Sequence, residues 1–464
     1  MTTKSTAAPD APGWVERDRR VLWHPFTQHD EWLGYEPIVV ERAEGFELVA
    51  ADGRRYLDGV SSIWCNVHGH GHPAILEAMH AQLDRLQHST MLGLSHVPAI
   101  ELGERLVAIA PEGLTRVFFS DAGSTAVEVA LRMAFQYWRQ VGRPEKQRFA
   151  TLVDAYHGDT LGAVSLGFSE PFHTGYEPIT FRSLSFPPPF LCAPLDGRGD
   201  CGDAAALEAA AVASLAALER LLDAHAHELA AVFLEPLMQG AAGMWPQPPS
   251  FLRRVRALCD AHDVLLVCDE VATGFGRTGR MFAVEQAGIV PDVMCVAKGL
   301  TGGYLPVAAT LATERVFDAF RGAYADYRAL FHGHTYGGNP LGCAAAIANL
   351  DVFEREGTLA HARALAATLA GALDAHVAKL DHAGPVRRIG TMVGFDLLRD
   401  PQTGERYPSH ERRAHRAALA ARDEGVIVRG LGDTMILMPP LALPLDQGER
   451  LVEATARAVA RATA

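Results

Sequence analysis

The sequence predicts an α/β fold in two parts, a large domain built on a mainly parallel sheet and a smaller α+β domain. Three observations carry that expectation. Short apolar runs alternate with helical patterns through the middle of the chain, which is how strands and covering helices of a parallel sheet read. With 464 residues the chain exceeds one core of ordinary size. After residue 340 the pattern changes to two long helices followed by strand-like pieces.

The apolar runs are "TRVFFS" (115–120), "LAAVFLEP" (229–236), "VLLVCDE" (264–270) and "DVMCVAK" (292–298), and the first two are followed by "TAVEVALRMAFQYWRQ" and "SFLRRVRALCDAH". The Ala-rich stretch 203–230 keeps leucine and alanine at helical spacing and is expected as an amphipathic helix. The C-terminal part contributes "PLGCAAAIANLDVFERE", "LAHARALAATLAGALDAHVAKL", "MVGFDLL", "GVIVRG" and "TMILMPP"; residues 37–59, with an Asp-Gly turn between two alternating runs, are expected to complete it. The expected organisation is a mobile tail over 1–20, the N-terminal part of the small domain over 21–79, the large domain over 80–340 and the C-terminal part of the small domain over 341–464.

Composition narrows the function. A hydrophobic share of 48% and a charged share of 21% belong to a globular enzyme. A net charge of -13 without a basic cluster argues against nucleic acid and membrane surfaces as partners. No apolar run approaches the roughly 18 residues needed to span a bilayer, and seven scattered cysteines without a Cys-x-x-Cys pair point to a reducing cytoplasm.

The chemistry concentrates at strand ends. Asp269 closes "VLLVCDE" and Lys298 closes "DVMCVAK", so in a parallel sheet both project into the crevice beyond the carboxyl ends, where ligands bind. A lysine there can form an imine with an aldehyde cofactor, and a nearby acid can keep a pyridine nitrogen protonated, which is the demand of pyridoxal phosphate. The plain alternative is a helix-capping Asp and an exposed Lys. In "FFSDAGSTAVEVALRM", Gly123, Ser124 and Thr125 open a helix after a strand, an arrangement suited to an anion and equally to an ordinary cap. Tyr156 and His157 follow "ATLV"; an aromatic there can stack on a planar cofactor or fill the core.

Two features invite other readings. "GFGRTG" (274–279) satisfies the dinucleotide pattern, but four residues separate Asp269 from the first glycine and no acid-ended strand follows about 20 residues later. "WCNVHGHGHPAI" sets His68, His70 and His72 at alternate positions. Gly69 and Gly71 loosen the segment, Pro73 starts a helix, and no carboxylate lies within it, so no metal is expected.

Taken in order, "FFSDAGSTAVEVALRMAFQYW", "YHGDTLGAVS", "FLEPLMQGAAGM", "CDEVATGFGRTGRMFA", "PDVMCVAKGLTGGYLPVAAT" and "FHGHTYGGNPLGCAAA" resemble the class III aminotransferases of fold type I. The likeness runs from about Trp23 to Pro440 and is closest to the branch that makes 7,8-diaminononanoate for biotin. It implies a pyridoxal 5'-phosphate enzyme whose substrates are 8-amino-7-oxononanoate and an amino donor. It further implies that Lys298 binds the cofactor covalently, Asp269 pairs with its ring nitrogen, Gly123 and Ser124 hold its phosphate, and Tyr156 lies beside the ring and also touches substrate. His334 and Thr335 match a phosphate contact from the neighbouring subunit of a homodimer with shared active sites, and Gly333 lies beside the substrate. Trp64 and Phe26 match substrate-pocket positions, and Arg429 matches the arginine that grips the keto acid's carboxylate. Many relatives have a tyrosine where Phe26 stands and a tryptophan where Ile63 precedes Trp64. These departures bear on the donor. The stretches "SSIWCNVHGHGHP", "HSTMLGLSHVPA", "FHGHTYGGN" and "GERYPSHERR" resemble the branch that uses lysine rather than S-adenosylmethionine. Other class III ω-amino-acid aminotransferases are the near alternative, and a nicotinamide-dependent oxidoreductase or a metal-dependent hydrolase the remote ones.

Overall fold

The structure, a computed structural model, describes residues 13–169, 172–192 and 204–464. Its centre is a seven-stranded sheet of β1 (Leu114–Ser120), β2 (Arg148–Leu152), β3 (Leu184–Phe186), β4 (Leu229–Leu234), β5 (Leu265–Asp269), β6 (Val293–Val296) and β7 (Ala308–Thr313). The spatial order is β1-β7-β6-β5-β4-β2-β3. Pairing is parallel from β6 through β3, and β7 runs antiparallel to both its neighbours. The expected mainly parallel sheet is therefore present, with one reversed strand.

Strand β4 is buried at all six positions because helices cover both faces. Alternate residues go to opposite sides, as the pleat requires. Val232, Leu234, Leu266, Cys268, Met294 and Val296 share a core with Phe251, Leu252 and Val255 of the helix Pro249–Ala261. Ala231, Phe233, Leu265, Val267, Val293 and Cys295 share another with Ala126, Val127, Ala130 and Ala134 of the helix Gly123–Gln140.

The smaller part joins the two ends of the chain. Strand Arg55–Asp58 pairs in parallel with Val426–Ile427, and Leu57 packs in one core with Leu365, Phe395, Leu437 and Leu451. A second small sheet holds Arg387–Ile389, Met392–Asp396, Thr434–Leu437 and Arg429–Leu431 in that order. The helix Pro340–Arg355, whose pattern in sequence opens the C-terminal part, buries Cys343, Ala346, Leu350 and Phe353 in the core of the large sheet.

Of the tail assigned to residues 1–20, residues 1–12 lie outside the described residues, and Trp14–Val21 form a helix with no buried residue. The Ala-rich helix spans Ala204–His225 and stops before β4 begins. Among the described residues no helix is long and apolar enough to cross a membrane, and Cys65, Cys259, Cys268, Cys295 and Cys343 are free thiols.

Candidate active site

Strands β5 and β6 are neighbours in register, with Asp269 opposite Cys295, so Asp269 and Lys298 emerge together at the carboxyl end of the sheet. Both line one pocket of about 420 Å³ with Trp64, Gly123, Ser124, Tyr156, His157, Glu235 and Tyr304. Lys298 has a left-handed backbone (φ 41°). Such a conformation is costly for a side chain with a Cβ and gathers at functional sites. Its Nζ lies 5.2 Å from the centroid of the Trp64 ring. Burial lowers the lysine's pKa, and the charges of Asp269 and Glu235 offset only part of that loss.

Asp269 is fixed at both oxygens: Oδ1 accepts from the Val271 N–H at 3.0 Å, and Oδ2 faces His157 Nδ1 at 2.7 Å. Burial alone would lower the pKa of His157, but the hydrogen bond to Asp269 and its charge prevail, so the imidazole titrates above its ordinary value. Nδ1–H is then the donor to Asp269, and the buried Nε2 has no partner in the protein. The sequence named His157 without a role, because Asp269 stands 112 positions away.

The opposite wall is the start of the helix Gly123–Gln140. The Thr125 hydroxyl accepts from the Ala122 N–H at 3.0 Å and lies 2.7 Å from Asp121 Oδ1. It satisfies one of the end groups, and Gly123 and Ser124, at a helix start whose first N–H groups have no intrahelical acceptor, line the pocket. Close approach explains the glycines. A Cβ on Gly123 would lie 2.5 Å from Val271 Cγ1, and one on Gly158 would lie 2.3 Å from the Ser124 Cβ at a φ of 114°. We expect Gly158→Ala to lower stability by about 1–3 kcal/mol through overpacking and strain, and to loosen anion binding at the helix start. Thermal unfolding with and without inorganic phosphate reads both.

Tyr156 and Glu235 form the side wall. Glu235 accepts from the Tyr156 N–H at 3.2 Å and the Gly240 N–H at 2.9 Å, and burial pushes its carboxyl up to about 7. The Tyr156 hydroxyl donates to Asp159 at 2.9 Å, and burial raises the phenol's pKa. Neither Glu235 nor Asp159 was singled out from sequence. Glu235 carried the signal that revealed Asp269, an acid just beyond an apolar strand.

The remaining expected residues sit farther out. Arg429, on the small sheet, stands outside the pocket lining but close enough for its charge to act on Tyr156. Phe26 is 63% exposed and meets Phe172 edge-on at 5.8 Å. Gly333, His334 and Thr335 line a separate cavity of about 1080 Å³ with Met91, Leu92 and Phe118. Only His334 reaches toward the first pocket, through Asp121 at 3.0 Å.

The two misleading motifs resolve into scaffolding. His70 faces Asp58 at 3.3 Å, His72 faces Glu356 at 3.1 Å and buried His68 faces the Asn349 carbonyl. No cluster able to hold a metal occurs among the described residues. In "GFGRTG", Arg277 is buried and donates to the carbonyls of Asn66, Trp64 and Pro439, so the turn serves the protein's own backbone.

The family model for class III aminotransferases matches residues 30–459. The chain belongs to the class III aminotransferase family. This aminotransferase is 53% identical over 96% of its length, and 81% of the relative's, to the adenosylmethionine-8-amino-7-oxononanoate aminotransferase of Nitratidesulfovibrio vulgaris. It is 48% identical to the protein of that name from Geobacter sulfurreducens, covering 95% of this chain and 96% of the relative. Among solved structures, the adenosylmethionine-8-amino-7-oxononanoate aminotransferase of Methanocaldococcus jannaschii superposes with a TM-score of 0.89 at 38% identity, covering 96% and 98% of the two chains. An amine transaminase from an uncultivated Pseudomonas species, solved with pyridoxal phosphate bound, has a TM-score of 0.89 at 36% identity over 95% and 98%. The fold is fold type I.

Class III aminotransferases depend on pyridoxal phosphate, and the pocket fits that cofactor. An amine, a carboxylate backed by an imidazole and a helix start stand around one cavity, matching an aldehyde, a pyridine nitrogen and a phosphate. Two buried polar atoms among the lining residues, Trp64 Nε1 and His157 Nε2, have no partner in the protein.

Proposed function

We propose that this aminotransferase converts 8-amino-7-oxononanoate to 7,8-diaminononanoate, a step of biotin biosynthesis, with lysine as amino donor. The observation that carries the acceptor is the activity borne in the names of relatives 53% and 48% identical over nearly the whole chain. Arg429 supports it: a planar guanidinium, poorly solvated beside Tyr156, suits the far carboxylate of a long keto acid.

Bound pyridoxal phosphate supplies the electron sink that makes an amine-bearing carbon acidic and stores the amino group between substrates. Lys298 Nζ, its pKa lowered by burial, takes the proton from the donor's amine-bearing carbon and in the second half delivers one to carbon 7 of the keto acid. Asp269, with His157 behind it, holds the proton on the ring nitrogen. Gly123 and Ser124 anchor the phosphate, and Trp64 closes the pocket over the lysine. The second cavity, which holds Gly333, His334 and Thr335, is the face on which a second copy completes the site, so the working unit is a homodimer in the cytoplasm.

Arg429→Ala is expected to raise the KM for the keto acid about 10–100-fold with little change in kcat, since the contact is remote from the reacting carbon. Steady-state kinetics with the keto acid as variable substrate checks this; an unchanged KM removes Arg429 from the role.

Lysine rests on Ile63, half-exposed beside Trp64. An aliphatic side chain at this position, beside the pocket lining rather than in it, offers neither stacking to an adenine nor a π face to a sulfonium. The names of the relatives favour a second donor, S-adenosylmethionine. Turnover of 8-amino-7-oxononanoate with each donor separates them: lysine is expected to support it. Turnover with S-adenosylmethionine alone overturns the donor and leaves the acceptor standing; turnover with neither overturns the acceptor.

A further inference from the structure

Ser61, Ser62, Ile63 and Trp64 are four successive residues in the left-handed region, with φ of 51°, 47°, 73° and 73°. Residues with a Cβ visit that region singly, usually as Asn or Asp, and a run of four persists only where its surroundings impose it. This run ends on Trp64, 7% exposed, which faces Lys298 across the pocket.

The imposing group is a buried carboxylate. Asp58, 1% exposed at the end of a small-domain strand, accepts from the Ser62 N–H at 2.9 Å through Oδ1 and from the Ser62 hydroxyl at 2.7 Å through Oδ2. His70 Nε2 faces the same Oδ2 at 3.3 Å, and His70 is itself anchored where its N–H donates to the Gly45 carbonyl at 2.6 Å. A buried carboxylate needs such partners to stay ionised. The hydrogen bonds from His70 and Ser62 outweigh burial, and Asp58 titrates below its ordinary value. The same histidine-rich loop also grips the pocket wall: the Tyr304 hydroxyl accepts from the His72 N–H at 2.6 Å and donates to the Gly69 carbonyl at 3.1 Å. Tyr304 lines the pocket with Trp64.

We propose that Asp58 and His70 are positioning residues for transamination: the pair holds the left-handed turn Ser61–Trp64 and thereby fixes the Trp64 ring against the substrates. The histidine-rich loop then has a function without a metal. Its members brace the substrate-facing wall from the small domain, while the cofactor-holding groups Asp269, Lys298 and Ser124 stand on the large sheet and its covering helix. This assignment rests on the aminotransferase chemistry of the pocket, and its failure is distinguishable from failure of that chemistry because cofactor retention is read separately.

The test is a double-mutant cycle on the holoenzyme. Asp58→Asn keeps the volume and removes the charge and one acceptor. It is expected to lower kcat/KM for donor and keto acid alike by about 10–100-fold, while the visible absorption of the bound cofactor stays at the wild-type level. In a Trp64→Ala background the same substitution should change kcat/KM by less than about threefold, because the ring it positions is gone. A full loss repeated in the Trp64→Ala background, or wild-type kinetics for Asp58→Asn, overturns the proposal. If Asp58→Asn fails to fold, Ser62→Ala, an exposed position that leaves the carboxylate in place, serves instead. It should lower kcat/KM about 3–10-fold with the same dependence on Trp64, and unchanged kinetics overturn the proposal.

Discussion

Lys298→Ala is expected to abolish transamination, lowering kcat by at least ~10⁴-fold, because one substitution removes the group proposed as both nucleophile and proton carrier. Alanine at φ 41° inherits the same backbone strain as lysine, and the removed amine faces a cavity rather than a packed core. The fold should therefore survive and the pocket stay open. Cofactor added to the variant should bind through the helix start and Asp269 without a covalent link. Single-turnover kinetics and retention of cofactor on gel filtration in denaturant read the two losses. Activity within tenfold of wild type would remove Lys298 from the chemistry.

Asp269→Asn has the next largest expected effect. Asparagine keeps the shape and can still accept from the Val271 N–H, but the negative charge proposed to hold a proton on the ring nitrogen disappears. His157 compounds the loss. Burial alone would lower its pKa and Asp269 holds it up, so without the carboxylate the pKa falls and the support behind the ring nitrogen weakens further. Removing one preorganised electrostatic group typically costs about 10²–10³ in kcat. That range is expected here for both half-reactions, with substrate KM values changed far less, since the group contacts neither substrate. Rapid-mixing measurement of each half-reaction checks it. A loss confined to one half-reaction would contradict the assignment.

The large sheet was legible because its strands are continuous apolar runs separated by helical patterns, and that same continuity hid the rest. A run such as "VLLVCD" does not say which residue faces which layer, and "PVAATLAT" does not say that β7 runs against its neighbours. Asp269 and Lys298 could be found from sequence by the strand-end rule alone. Glu235 obeyed the same rule and was missed because no second chemical group pointed to it. His157 acquires its role from a partner 112 positions away, a relation no local pattern holds. The left-handed turn was the least visible feature. "SSIW" contains no glycine, so nothing in it announces positive φ; the strain is imposed by Asp58, which grips Ser62 from outside the motif, while the Ser61 hydroxyl donating to the Met438 carbonyl at 2.6 Å and Arg277 donating to the Trp64 carbonyl secure the two ends of the turn. The histidines looked like ligands because alternate positions share a face only in a strand, and Gly69 and Gly71, at φ 84° and 69°, break that geometry.

The central claim is that Lys298 carries pyridoxal phosphate at the carboxyl ends of β5 and β6. Reduction of the purified holoenzyme with borohydride, followed by proteolysis and mass analysis, tests it directly. The result expected is loss of the visible absorption band and a single phosphopyridoxyl-modified peptide spanning "VAKGL", with the added mass on Lys298. A modified peptide centred on another lysine, or none from active enzyme, would contradict it.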